Sequence, residues 1–279
     1  MELNWFESFL YGLFSGLADI LPVSSQAHQI LMLKFFGISG SASGLLPLLI
    51  HVSIFAALYY NSHSHIIRIS RAMRLARIPK RRRKRPLDVR SMMDWKLLQT
   101  MIIPVILAMF AYPYTVSLGG KLIWIVIFLF INGVILYAPQ FFPTGNRDSR
   151  TLSRVEGLLM GLGGGLSVLP GISAVGAATS VGSVCGIERT YALDMAFMMN
   201  MVVNLGLIIY DVMNLISVGV EALSVLIIIR YLFTAAVAFG AAMGGIRLMR
   251  SLAKTGGYSV FAFYCWGVAL FAFVLNLMA

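Results

Sequence analysis

Two stretches of the chain put ionisable and hydroxyl side chains beside a proline inside otherwise apolar sequence. In Gly12–His28 (GLFSGLADILPVSSQAH), Asp19 lies three residues before Pro22, Ser24 and Ser25 follow it, and His28 comes one helical turn after Ser25. In Gly157–Gly176 (GLLMGLGGGLSVLPGISAVG), Pro170 is followed by Gly171 and Ser173, with Thr179 and Ser180 shortly beyond. A carboxylate and an imidazole inside apolar sequence are functional candidates, and clustered hydroxyls beside a helix break are donors to an anion. Proline removes a backbone donor and clashes with the preceding turn, so neither stretch runs as one straight helix. Each break frees N–H groups at the start of the next helix, and these, with the helix dipole, favour an anion. Two such helix starts meeting head to head would form an anion cradle. For each single hydroxyl the competing assignment is a cap on its own helix.

Ionisable groups inside a membrane cost several kcal/mol and are functional candidates by default, which singles out Asp19 and His28. His51, Asn132, Asn200 and Asn204 read as interhelical hydrogen-bonding residues. Asp211 is a further intramembrane carboxylate. Asp194 follows Arg189 near the start of a span, and a local ion pair is expected. Arg230 either snorkels outward or stands in as a phosphate-binding cation.

The elements that must position these groups follow from composition. The chain has 279 residues, 59% hydrophobic and 12% charged, which excludes an ordinary soluble domain and fits an all-α polytopic membrane protein. Two cysteines, Cys185 and Cys265, give neither a disulfide framework nor a metal site. The N-terminal MELNWFESFLYGLF lacks a basic n-region and a small-residue cleavage site, and reads as mature sequence. Of the 22 Lys and Arg residues, twelve fall between Arg68 and Lys96. Spans flank this run on both sides, so nucleic acid is set aside. The run reads as a solvated cytoplasmic loop, 61–96, that sets topology and attracts anionic headgroups by about 1 kcal/mol per basic residue.

Apolar segments of spanning length lie at roughly 44–60, 97–115, 121–141, 190–212, 222–248 and 257–278. The broken segments, roughly 5–38 and 155–186, each suit a helix pair that dips in and returns. Placing 61–96 in the cytoplasm puts Arg147, Arg150 and Arg154, and then Arg247, Arg250 and Lys254, on the same side. The first broken pair then enters from outside and the second from inside. The expected architecture is one integral membrane domain, 1–279. It is an inverted-topology repeat of one re-entrant helical hairpin plus three transmembrane helices per half, 1–141 and 142–279, with a polar cavity where the hairpins meet. The competing assignment for the glycines is close helix packing alone.

The first hairpin, Ser15-Gly-Leu-Ala-Asp19-Ile-Leu-Pro22-Val-Ser-Ser25-Gln-Ala-His28, resembles the E-G-L-T-E-F-L-P-V-S-S-T-G-H signature of the undecaprenyl-diphosphate phosphatase family, the bacitracin-resistance membrane phosphatases. The second, Pro170-Gly171-Ile172-Ser173-Ala174-Val175-Gly176-Ala177-Ala178-Thr179, is similar to that family's P-G-x-S-R-S-G-x-T. The likeness covers nearly the whole chain, including Gly186 to Arg189. It implies the inverted-repeat fold and a polyprenyl phosphate or diphosphate ligand in the bacterial cytoplasmic membrane. A Met- and Phe-lined groove would suit a long isoprenoid tail.

The departures fall on charged positions. Ser15 stands for the family's first glutamate and Asp19 for its second. Ala174 stands for its arginine, Val175 for the next serine and Ala178 for its threonine, whose hydroxyl is displaced to Thr179. Ser25, His28 and Ser173 are retained. The resemblance implies the arginine as phosphate clamp, and losing such a cation costs roughly 10³-fold or more in rate. The leading expectation is therefore binding and transmembrane translocation of a polyprenyl phosphate, without efficient hydrolysis. The alternatives are a working diphosphatase and a non-catalytic subunit of a cell-envelope complex. Expected ligand-binding residues are Ser15, Asp19, Ser24, Ser25, His28, Gly171, Ser173, Thr179, Ser180 and Arg230; Asp19, Ser25 and His28 are catalytic only if hydrolysis occurs. Mg²⁺ or Ca²⁺ enters only in that case, and an oligomer is compatible with the sequence.

Overall fold

The computed structural model describes residues 3–38, 44–219, 224–256 and 258–278; the expected starts of spans at 222 and 257 fall outside them. Ten α-helices follow in order among these residues: α1 (Trp5–Ile20), α2 (Ser25–Phe35), α3 (Leu45–Ala76), α4 (Val89–Thr115), α5 (Leu122–Tyr137), α6 (Arg154–Gly165), α7 (Ala174–Val184), α8 (Arg189–Val218), α9 (Val225–Thr255) and α10 (Ser259–Met278). Six of them are long and apolar enough to cross a bilayer: α3, α4, α5, α8, α9 and α10. The protein is an all-helical, polytopic membrane protein.

The expected basic loop 61–96 is mostly helix. α3 runs to Ala76 and α4 starts at Val89, leaving 77–88 between them. An apolar scan finds where a helix leaves lipid, not where it ends, because Arg, Lys and Met are all good helix formers. At 32 residues α3 is about 48 Å long, well beyond the ~30 Å hydrocarbon core. Asp88 starts α4 as an N-cap, accepting from the Ser91 N–H.

The two broken segments begin with the same device. Asn4 and Glu7 form a capping box on α1, and Ser153 and Glu156 form one on α6. The Ser153 hydroxyl, with Arg147, holds the Glu156 carboxyl down at about 2. Arg147 also donates to the Cys185 carbonyl at 3.1 Å, closing the base of the second segment.

Each segment is then seated by a Gly-x-x-x-Gly face. A Cβ on Gly12 would lie 2.4 Å from the Thr234 carbonyl oxygen, and one on Gly16 2.2 Å from that of Ala238, so α1 lies directly on α9. A Cβ on Gly161 would lie 2.3 Å from the Met101 carbonyl oxygen, and one on Gly157 2.1 Å from Thr100 Oγ1, so α6 lies equally close on α4. In both cases the residue numbers rise together, so the paired helices run parallel. The remaining major contacts join α5 to α10, α3 to α8 and α9, and α4 to α8. Exchanging α1–α5 for α6–α10 maps these pairs onto one another. The exchange is incomplete, because α7 packs along α8 whereas α2 does not pack comparably on α3.

At one end of the bundle Arg68 bonds buried Asp94 at 3.0 Å, and Tyr191 bonds the same carboxylate at 2.9 Å. Asp194 there accepts from Arg250 of α9 at 3.0 Å, not from Arg189 as expected from sequence. Positions five apart on a helix face different ways and cannot meet. Trp5, Gly44, Gly119 and Leu215 mark the opposite end. α1 starts at that end and α2 returns towards it, where Ile30 meets Gly119. α6 and α7 start from and return to the Arg147 end.

Candidate functional site

The two breaks touch. α1 ends at Ile20 and α2 starts at Ser25; α6 gives way to a short 3-10 turn, Leu166–Val168, before α7 starts at Ala174. A Cβ on Gly176 would fall 2.5 Å from Pro22 Cβ, so glycine permits the contact. Asn132 of α5, fully buried, joins the breaks: its amide donates to the Pro22 carbonyl at 2.9 Å and its oxygen accepts from the Ser173 N–H at 3.0 Å. Gln26 adds a 3.4 Å bond to the Ser167 carbonyl. Gly171 has φ +139°, open to glycine, and a Cβ there would meet Phe128 at 2.6 Å.

Between the breaks lies a cavity of about 20 Å³, room for about one water, lined by Asp19, Ser24, Ser25, Gln26, Ser173 and Asn200 among others. Asp19 is tightly held: its Oδ1 accepts from Asn200 at 2.7 Å and Asn204 at 3.2 Å, and its Oδ2 from the Ser25 hydroxyl at 3.2 Å. Ser173 caps α7, accepting from the Gly176 N–H at 3.2 Å. Ser24 makes no such cap on α2; it sits at φ +69°, and its Oγ is buried without a partner. Asn204 Oδ1 is likewise buried and unpartnered.

His28 and Ser25 do not share a task, although one helical turn separates them. His28 Nδ1 lies 2.8 Å from the Ser24 carbonyl and Nε2 2.8 Å from the Tyr264 hydroxyl of α10. A carbonyl only accepts, so Nδ1 carries the proton, and when the ring is neutral Nε2 accepts from Tyr264. His28 thus fixes the Ser24 turn and is turned away from Asp19.

Of the ten sequence candidates, Asp19, Ser24, Ser25 and Ser173 line the cavity, and His28 supports it from behind. Ser15, Gly171, Thr179 and Ser180 do not line it. Arg230 lies elsewhere: it donates to the Leu3 carbonyl at 3.1 Å and stacks over Trp5 at 5.8 Å, near the start of α1. The residues that sequence reasoning left out of the site are Asn200 and Asn204. Their i, i+4 spacing in an apolar helix was the available signal.

A bundle with six helices long and apolar enough to cross a membrane, and two broken helix pairs that meet around a carboxylate and paired hydroxyls, makes this a polytopic membrane protein with a polar cavity. The chain belongs to the bacitracin resistance protein BacA family, whose sequence model matches residues 8–271. Among its relatives are an undecaprenyl-diphosphatase of Methanobrevibacter smithii, 27% identical over 274 residues (96% of each chain), and undecaprenyl-diphosphatase 1 of Shouchella clausii, 27% identical over 280 residues (98% and 97%). An undecaprenyl-diphosphatase of Alkaliphilus metalliredigens is 24% identical over 281 residues, covering 99% of this chain and all of that one.

Proposed function

We propose that the protein is a phosphatase of a polyprenyl diphosphate, undecaprenyl diphosphate being the substrate named in its relatives. That name supports hydrolysis over the translocation without hydrolysis expected from the altered motifs. The observation that carries the reading is the Ser25–Asp19 hydrogen bond at the cavity, beside the starts of α2 and α7 and the unpartnered Ser24 hydroxyl. Ser25 Oγ attacks the terminal phosphorus while Asp19 takes its proton. The bond to the bridging oxygen breaks, and polyprenyl monophosphate leaves. Water then attacks the phosphoserine, releasing phosphate and restoring the serine hydroxyl. Helix-start N–H groups, Ser24 and Ser173 bind the equatorial oxygens. The cavity admits one water as it stands, so the breaks part to take a headgroup.

Among the described residues no three His, Cys, Asp or Glu groups converge on one point. Asp19, the carboxylate lining the cavity, is the residue that would hold a hard cation taking its other ligands from a diphosphate. Mg²⁺ or Ca²⁺ held there would supply the positive charge that Ala174 lacks.

The same reading takes 1–141 and 142–279 as inverted repeats, supported by the exchange of packing partners and the paired capping boxes. It sets the Arg147 end and the 68–96 basic segment on the cytoplasmic side, against anionic headgroups. The test is phosphate release from a polyprenyl diphosphate with added Mg²⁺. Asp19→Asn and Ser25→Ala should each lower it by about 10²–10⁴-fold. No release by the unmutated protein, or full release by Asp19→Asn, overturns the assignment. A second reading, movement of the headgroup across the bilayer, is favoured by one observation: among the described residues no Lys or Arg lines the cavity. Phosphate release absent but lipid flipping present in liposomes would select it.

A further inference from the structure

A second pair of titratable groups lies buried outside this site. His51 of α3 and Asp211 of α8 are each 7% exposed, with Nδ1 2.6 Å from Oδ2. Exchanging such a pair for apolar residues is often neutral or stabilising, so stability alone does not explain it. Its place is specific. Asn200, Asn204, Leu207 and Asp211 recur at i, i+4, i+7 and i+11 along one face of α8. The first two of these residues bear on Asp19, Leu207 lines the cavity, and Asp211 comes one turn later. The pair therefore sits about 10 Å from Asn204, between the cavity and the end marked by Trp5.

We propose that His51 and Asp211 form a proton-binding site linked to the phosphate cavity, taking up a proton when a phosphorylated headgroup binds and giving it back when the product leaves. This rests on the phosphate-binding reading above. One proton separates the two states of the pair: neutral imidazole with carboxylate carries −1, and imidazolium with carboxylate carries 0. A negative charge added in the cavity favours the proton-bound state. The titratable groups beside Asp211 are phenols, Tyr112 of α4 stacked edge-on against Tyr210 of α8 at 4.9 Å. On α9, which also packs against α3, Tyr231 is buried and Arg230 is turned to the Leu3 carbonyl and the Trp5 ring.

The test uses full-length protein in detergent and a short-chain isoprenyl methylenediphosphonate, which binds as a diphosphate but is not cleaved. Proton uptake on binding is read with a pH indicator in weak buffer between pH 5 and 8. Unmutated protein should take up more protons than either Asp211→Asn or His51→Gln, with a maximal difference of a sizeable fraction of one proton per ligand; Asp211→Glu should restore it. Both variants lie outside the cavity and should still bind the ligand. Equal uptake by unmutated protein and by whichever variant folds overturns the inference and leaves the phosphate site standing. Failure of the unmutated protein to bind overturns the phosphate reading, and this inference with it.

Discussion

Replacing Asn132 by leucine cuts the link between the two breaks. Its amide serves two backbone groups that no helix ladder satisfies, the Pro22 carbonyl and the Ser173 N–H. The Pro22 carbonyl keeps a weak thiol donor, Cys265 Sγ at 3.8 Å, but the Ser173 N–H is left buried without a partner, at a cost of about 1–3 kcal/mol. Interhelical hydrogen bonds in membranes average nearer 0.6 kcal/mol, because groups in the unfolded-in-membrane state find other partners. The larger figure applies here, because the donor and acceptor are main-chain groups of broken segments. Leucine is close to asparagine in size and keeps water out, whereas alanine opens space for a water that can bridge the two groups. Asn132→Leu should therefore be the more damaging change. Thermal unfolding in detergent should show Asn132→Leu melting several degrees below Asn132→Ala, and both below the unmutated protein, with phosphate release falling in the same order. An Asn132→Leu protein that melts and turns over like the unmutated one would refute the role assigned to this residue.

Three further outcomes are expected. Gly16→Leu and Gly161→Leu should each destabilise the fold by more than about 3 kcal/mol, since even a Cβ would sit 2.2 Å and 2.3 Å from helix backbone; expression as monodisperse protein checks this. Ser24→Val should lose about 1–3 kcal/mol more than Ser24→Gly, because a β-branched residue resists φ +69°; the comparison is made by melting temperature. Ala174→Arg puts a cation at the first residue of α7, which lines the cavity as Asp19 does, and should raise phosphate release about tenfold or more, measured at saturating Mg²⁺.

The parts of the fold legible in the sequence are those governed by short-range rules. Pro22 and Pro170 mark the breaks because a proline's effect is local, and the six crossing helices follow from runs of apolar residues. The length of α3 was not legible, because its basic second half is as good a helix former as its apolar first half. At the site, Asp19, Ser24, Ser25 and Ser173 were found because a break gathers its own neighbours. Asn200 and Asn204 reach Asp19 from 181 and 185 residues away, and nothing local announces that. His28 turns to Tyr264, 236 residues distant, instead of sharing a face with Ser25. Arg230 lies by Leu3 because α1 runs parallel to α9 from its first turn, a pairing that only the assembled bundle sets.

That cross-seating constrains the order of assembly during synthesis. The glycine face of α1 rests on α9, more than 200 residues downstream, so the leading segment emerges long before its resting place is made. Until then a polar turn bearing Asp19 waits in or beside the bilayer without its asparagine partners, shielded by lipid, water or the insertion machinery. The trailing segment meets no such delay, because α4 is already in place when α6 appears. A chain truncated after α8 should thus retain a settled second loop and a homeless first one, and quality-control proteases would find their substrate at the amino-terminal end.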